Sequence, residues 1–306
     1  MQPLSVDFMD DLRRLRVLRA FREHGSITAT AQVMHLTPSA VSQQLAKIAR
    51  DVGFEVLDHV GRRVVLTPRG EALLAHADAV FAEIERARHE LDAWDDSVRG
   101  TITIGAFSSA IGGLLPRLLD RVRDTMPEVR ISLREAEAPA VFDDLDAGRI
   151  DLALAVQFTG SPSPGDSRYH SVDLGPDILD LALPATHPLC GKETLALKDF
   201  KNDPWVSGDS GGCCGAITVT ACAAAGFTPD VVHRTNDWQA LAQLIAHGHG
   251  VALMPRLAQR DLPAAVTIRE VTGASPQRWT FAAVPMGAQH SPLISATLSL
   301  LASLRL

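Results

Sequence analysis

"HGSITATAQVMHLTPSAVSQQLAKIAR" (residues 24–50) decides how this 306-residue chain is read. Ser26 offers a side-chain oxygen to cap a helix running to about Met34, with Ile27, Ala31 and Val33 or Met34 on its buried side. "HLT" leaves room only for a tight turn. Thr37 then caps a second helix, and Pro38 sits in its first turn, where a missing N–H costs nothing. Ala40, Val41, Leu45 and Ile48 form its apolar face, while Ser39, Ser42, Gln43 and Lys47 point elsewhere. Two short helices joined so tightly make a helix-turn-helix, whose second helix can enter the major groove of DNA.

A helical hairpin in an ordinary core has the same periodicity. Three features favour DNA. The outward face of the second helix is Ser/Gln/Lys, short and hydrogen-bonding, not the Glu/Lys mix of a merely solvated face. Residues 12–70 hold ten basic side chains against four acidic ones, inside a chain of formal charge −7. "VGRRVVLTPRG" then reads as a short hairpin with Gly61-Arg62-Arg63 at its tip, followed by a new helix. The segment is a winged helix-turn-helix.

The stretch "GSITATAQVMHLTPSAVSQQLAKIARDVG", followed by "GRRVVLTPRGEALL", resembles the N-terminal domain of LysR-type transcriptional regulators over about residues 11–95. It departs from the family's usual Leu-Glu at Ile48-Ala49, from Leu-Phe at Val56-Leu57, and from an Arg at His59. The resemblance implies a cytoplasmic, non-enzymatic regulator that binds double-stranded promoter DNA at an imperfect inverted repeat. The DNA-binding residues it implies are Thr28, Thr37, Pro38, Ser39, Ser42, Gln43, Gln44, Lys47, Arg62 and Arg63.

After the wing, Thr67 and Pro68 open a helix with apolar residues at Leu73, Ala77, Val80, Ile84, Ala87, Leu91 and Trp94. That spacing is a heptad seam. A single amphipathic helix packed on its own domain is the alternative, but directly after a wing a dimerising linker is the better reading. The expected assembly is a homodimer through this helix, and a homotetramer beyond it.

From "GTITIGAF" (100–107) onward, short apolar runs alternate with helical ones, which implies a parallel sheet with crossover helices. The order is strand, helix, strand, helix, strand to about residue 157. A second α/β unit follows, with strands near "DLALP", "PWVSG", "VVHRT" and "VALMP", and a return through "RWTFAAVP" and a terminal helix. Two lobes with two crossovers resemble the periplasmic-binding-protein-like effector domain of the same family. The predicted division is 1–66 DNA-binding, 67–95 linker and 96–306 effector domain, with one lobe at about 96–157 and 278–306 and the other at about 158–277. A cleft is expected between the lobes, at the carboxyl ends of the strands.

"SGDSGGCC" (207–214) competes for a different reading. Gly-Asp-Ser-Gly-Gly surrounds the nucleophile of trypsin-like proteases, and Ser210 also fits the G-x-S-x-G of serine hydrolases. The surroundings are strand–turn–helix, however, and His187 lies only 23 residues upstream. His247, His249 and His290 downstream have no persuasive acid before them. The alternative of a serine hydrolase therefore ranks below a binding cradle. In that cradle a strand ends, glycines turn the chain, and a helix N-terminus faces the cleft as an anion site. "GAFSSAIGG" (105–113) repeats the arrangement in the first lobe. Ser108 and Ser109, with Gly208, Asp209, Ser210 and Asn236 across the cleft, are the candidate effector-binding residues. The expected effector is a carboxylate or an amino acid, with Asp209 placed to meet an ammonium. Plain helix capping is the simpler alternative.

The remaining candidates are weaker. Cys213-Cys214 with Cys222 suggests a thiol sensor, since a helix N-terminus lowers a thiol pKa, but small buried residues explain them better. His247 and His249 lack a third metal ligand, and the glycine-rich loop lacks the Gly-Lys-Ser/Thr of a nucleotide site, so neither metal nor cofactor is expected. No apolar run reaches the roughly 18 residues of a spanning helix, and the N-terminus carries acids where a signal peptide carries bases. A membrane partner is not expected.

Overall fold

The computed structural model describes residues 8–60, 63–92, 98–158, 160–192, 195–209, 211–273 and 275–304. The chain divides into two units, Met1–Ile84 and Glu85–Leu306.

In the first unit, α1 (Phe8–His24), α2 (Ile27–Val33) and α3 (Pro38–Val52) precede an antiparallel hairpin of β1 (Leu57–Val60) and β2 (Arg63–Leu66). The caps read from sequence are present. Ser26 Oγ accepts the Ala29 N–H and Thr37 Oγ1 accepts the Ala40 N–H, each at 3.2 Å. Phe21, Val41, Leu45 and Ile48 are buried together with Val56. They pack against Leu74, Ala77 and Phe81 of α4 (Pro68–Asp92), whose start is capped by Thr67 through the Gly70 N–H at 3.0 Å. The buried Asp78 ties α4 to α1, accepting from Arg19 Nε at 2.8 Å and Arg22 Nη2 at 3.3 Å. Arg14 pairs with Asp51 at 3.0 Å. Three of the ten bases counted in the sequence therefore hold this unit together.

The second unit is built on β3 (Gly100–Ala106), β4 (Val129–Glu135), β5 (Leu152–Val156), β6 (Tyr169–Pro184), β9 (Ala252–Pro255), β10 (Val266–Arg269) and β11 (Gln277–Pro285). Their order is β10-β6-β11-β5-β3-β4, with β9 also on β6. A separate parallel pair joins β7 (Pro204–Ser207) to β8 (Asp230–Arg234). β3, β4 and β5 form the expected parallel arrangement, as do β7 and β8, whereas β6, β9, β10 and β11 pair antiparallel. The cause is the double crossing. β6 passes from the first lobe into the second, and β11 returns beside it in the opposite direction.

The first lobe's helices are α5 (Ser108–Gly113), α6 (Leu115–Thr125), α7 (Ala140–Asp146) and α10 (Pro292–Ser303). The helical stretch after β3 breaks at Leu114, between α5 and α6. β5 is buried along its whole length. Leu152, Leu154 and Val156 face one core cluster, Ala153 and Ala155 the other, as the two-residue period of a strand covered on both faces requires. The second lobe packs α8 (Cys213–Ala224) and α9 (Trp238–Ala246) around Trp205, Val206, Leu181 and Leu253. At the join, a Cβ on Gly113 would strike the Leu257 backbone, so glycine permits α5 and the 3-10 turn Arg256–Ala258 to touch. No helix among the described residues is long and apolar enough to cross a membrane.

Candidate functional site

Two regions carry the candidate residues. In the first unit, α3 has Val41, Leu45 and Ile48 buried, while Pro38, Ser39, Ser42, Gln43 and Lys47 are exposed along its other face. Gln44 is half-buried at the edge of that face. Thr37 is partly committed already, since its hydroxyl caps the helix and lies 3.0 Å from Ser39 Oγ. Thr28 is exposed on α2, and Arg63 opens β2 with its side chain exposed. Arg62 lies outside the described residues.

In the second unit, the lobes enclose about 500 Å³ of empty space, open mouth included. Phe107, Glu137, Val156 and Phe158 line it from one side and Gly212, Cys213, Cys214, Asn236 and Trp238 from the other. Arg278 forms part of the same lining. The lining mixes aromatic side chains with a few polar groups, as ligand clefts do.

Arg278 organises this cavity. Its Nε and Nη2 donate to Asp177 Oδ2 at 3.0 and 2.7 Å, and Nη2 also donates to Ser109 Oγ. Nη1 reaches Cys214 Sγ at 3.4 Å, and the guanidinium lies 4.7 Å from the centre of the Phe107 ring. One buried cation thus ties β6, α5 and α8 to β11. Burial pushes the Asp177 carboxyl above its ordinary range, and the Arg278 charge opposes that shift. Sequence reasoning missed both residues. Their signal was Asp177, one of two aspartates in "GPDILDLALP", and the single Arg in "QRWTFAAVP", charges set in largely apolar strands.

The expected effector residues separate into different roles. Ser109 is 3 % exposed and its hydroxyl serves Arg278. α5 spans only six residues, and its N-cap is Phe107 without a side-chain hydrogen bond, so neither serine caps it. Ser108 lines an adjoining opening beside Glu135 and Trp238. Across the cleft, Asn236 Oδ1 accepts the Asp209 N–H at 3.1 Å, and its Nδ2 donates to Asp209 Oδ2 at 2.8 Å. One oxygen of Asp209 is therefore engaged within the loop. Gly208 is buried behind Asn236, and a Cβ on Gly215 would collide with the Asp209 carbonyl, so the loop lies flat on the start of α8. Ser210 lies outside the described residues.

The cysteines show the opposite of thiolate activation. Burial pushes the Cys213 thiol up to about 12 and also raises Cys214, against the pull of Arg278. His187, the histidine upstream of Ser210 in the sequence, is held within its own lobe. It accepts the Leu189 N–H at Nδ1 and meets Asp203 Oδ1 through Nε2 at 3.1 Å. Both of its ring nitrogens are committed.

With the geometry in hand, comparison with known proteins is informative. Residues 95–305 match the family model described as "LysR substrate binding domain", and residues 12–71 match "Bacterial regulatory helix-turn-helix protein, lysR family". The chain is 28% identical over 246 residues to the transcriptional dual regulator GltC of Bacillus subtilis, covering 80% of each chain. It is 27% identical over 293 residues to the HTH-type transcriptional activator IlvY of Salmonella typhimurium, covering 94% of this chain and 97% of that one. Among solved structures, full-length CbnR complexed with its target DNA superposes with a TM-score of 0.70 at 19% identity, over 95% of this chain and 98% of that one.

Proposed function

The chain belongs to the LysR family of DNA-binding transcriptional regulators, and from that premise we propose how its parts divide the work. Residues 1–66 bind DNA, 67–95 link, and 96–306 bind a small-molecule effector. α3 enters the major groove, with Pro38, Ser39, Ser42 and Gln43 facing base edges. Arg62, Arg63 and Lys47 meet the phosphate backbone or the minor groove, and Thr28, Thr37 and Gln44 flank the contact. The observation that carries this reading is the split surface of α3: three apolar side chains are buried on one side, and a short polar face with one lysine is exposed on the other.

The cavity beside Arg278 is the effector site, taking a carboxylate or an amino acid. Dimerisation runs along α4. Its face towards the first unit's core is Leu74, Ala77 and Phe81, which leaves Val80 40 % exposed on the seam side. Ala77, counted in the seam from sequence, is spent in that core. A homotetramer, a cytoplasmic location and the absence of an enzymatic activity complete the reading. The test is binding of the full chain to DNA upstream of its own gene, with and without a metabolite panel. Specific binding that one metabolite changes is the expected result; indifference to sequence in every condition refutes it.

A further inference from the structure

The geometry points to a second binding site, for a dianionic oxyanion (a phosphate group, free or esterified), between Arg117 and Arg260 at the join of the two lobes. A cavity of about 200 Å³ opens there. Arg117 of α6 lines it from the first lobe, Arg256 and Arg260 line it from the second, and β6 passes alongside at Asp177. It shares no lining residue with the cavity beside Arg278.

Counter-charge around this cavity is already spent. Asp177 answers Arg278 and accepts the Leu257 N–H at 3.2 Å. Asp180 accepts from Arg256 Nε and Nη2 at 2.8 and 3.1 Å, and Glu270 accepts from the same Nη2 at 2.7 Å. Arg256 is thereby fixed in place. Arg117 and Arg260 have neither a hydrogen bond nor an ion pair among the described residues. Asp261 lines the opening beside Ser108, which Arg260 also borders, and not this cavity.

Either guanidinium alone would be satisfied by water. Two like charges on one small cavity, beside a third arginine locked in position, repel one another, and a bound dianion turns that repulsion into attraction. Guanidinium forks match the paired oxygens of a phosphate. A monocarboxylate would answer only one of the two free charges. Because Arg117 and Arg260 belong to different lobes, the anion ties the lobes together beside the contact of Gly113 with Leu257. Asp177 lines this cavity and its partner Arg278 lines the other, so the two cavities touch opposite members of one ion pair.

The test is calorimetric titration of the full chain with inorganic phosphate, glycerol phosphate and acetate, at fixed ionic strength and about pH 8, where phosphate is mostly dianionic. At least one of the two phosphates is expected to bind saturably, about 10-fold or more tightly than acetate. The tighter of the two shows whether the ligand is the free ion or an ester. Arg117→Ala and Arg260→Ala should each weaken that binding by about 10-fold or more. Arg123→Ala removes an equal charge from the same helix as Arg117, but one held by Asp120 at 2.9 Å, and should leave the binding unchanged. All three side chains are exposed, so thermal unfolding should show the variants folded. No saturable phosphate binding, acetate binding as tight as phosphate, an equal loss in Arg123→Ala, or indifference to either Arg117→Ala or Arg260→Ala overturns the inference.

Discussion

Arg278 and Asp177 are cross-strand partners on β11 and β6, 2.7 Å apart, with side chains 4 % and 1 % exposed, where both strands pass between the lobes. A buried pair of this kind is costly to assemble and more costly to break, because removing one member strands the other charge in a low dielectric. Asp177→Ala and Arg278→Ala should therefore each cost about 3–5 kcal/mol in denaturant unfolding of the second unit. The joint replacement Asp177→Leu with Arg278→Met should cost less than either single change. If the double variant is instead the least stable of the three, charge pairing is not what these residues contribute.

The contact at Gly113 offers a matched comparison. An Ala there would meet the Leu257 backbone, whereas nothing lies within 4 Å of a Cβ on the neighbouring Gly112. Gly113→Ala should lower stability by about 1–3 kcal/mol through overpacking. Gly112→Ala should raise it by about 0.5–1 kcal/mol, since a helical glycine carries excess unfolded-state entropy. Thermal unfolding of the two variants with opposite signs is the expected outcome, and a shared sign would contradict the packing at the join.

Arg278 and Asp177 also show where sequence reading stops. Ser26, Thr37, Pro38 and the apolar face of α3 act through neighbours a few residues away, so helical periodicity and cap chemistry made the first unit legible. The strands of the first lobe were legible for the same reason. Arg278 and Asp177 stand 101 positions apart, and Ser109 is 169 from Arg278. Only the double crossing of β6 and β11 brings them together. Local chemistry assigned Ser109 to a helix end, and the fold assigned it to a buried guanidinium. The antiparallel pairing of β11 was hidden likewise, because a strand's direction relative to its neighbour leaves no trace in its own residues.

The raised thiol pKa values predict chemical inertness. With Cys213 near 12, only about one molecule in ten thousand carries that thiolate at pH 8. Alkylation of Cys213 and Cys214 in the native chain should be far slower than that of free cysteine, and should accelerate on unfolding. DNA binding should not respond to micromolar peroxide. Fast labelling of either residue by mass spectrometry would show that burial does not govern their reactivity.

Glu137 makes a pH-dependent prediction. Its folded-state pKa lies above the ordinary 4.5, with burial as the largest cause, Glu135 and Asp209 adding to it and Arg278 opposing. The folded chain therefore holds this proton more tightly than the unfolded chain does. The resulting stability is fully present below 4.5 and is lost as pH rises through the raised value. Without effector, Glu137→Gln should be more stable than the wild type near pH 7, and the difference should close as pH falls below 4.5. A variant that is less stable at about pH 7 would mean that the ionised carboxylate has a partner in the folded chain.

The last prediction separates base reading from backbone attraction on the first unit. Gln43 is exposed on α3 and carries an amide, whose donor and acceptor match adenine in the major groove better than guanine. Gln43→Ala should cost about 1–3 kcal/mol on the cognate site and relax preference at one base pair in each half-site. Lys47 and Arg63 offer charge without base pattern. Replacing either by Ala should weaken binding to all sequences alike and reduce the slope of log affinity against log salt by about one. Arg14, Arg19 and Arg22 are held in ion pairs, so neutralising them should lower folding stability more than it changes that slope. Fluorescence anisotropy on cognate and scrambled duplexes at several salt concentrations distinguishes the classes. If Gln43→Ala changes the salt slope and leaves sequence preference intact, α3 lies along the backbone and not in the groove.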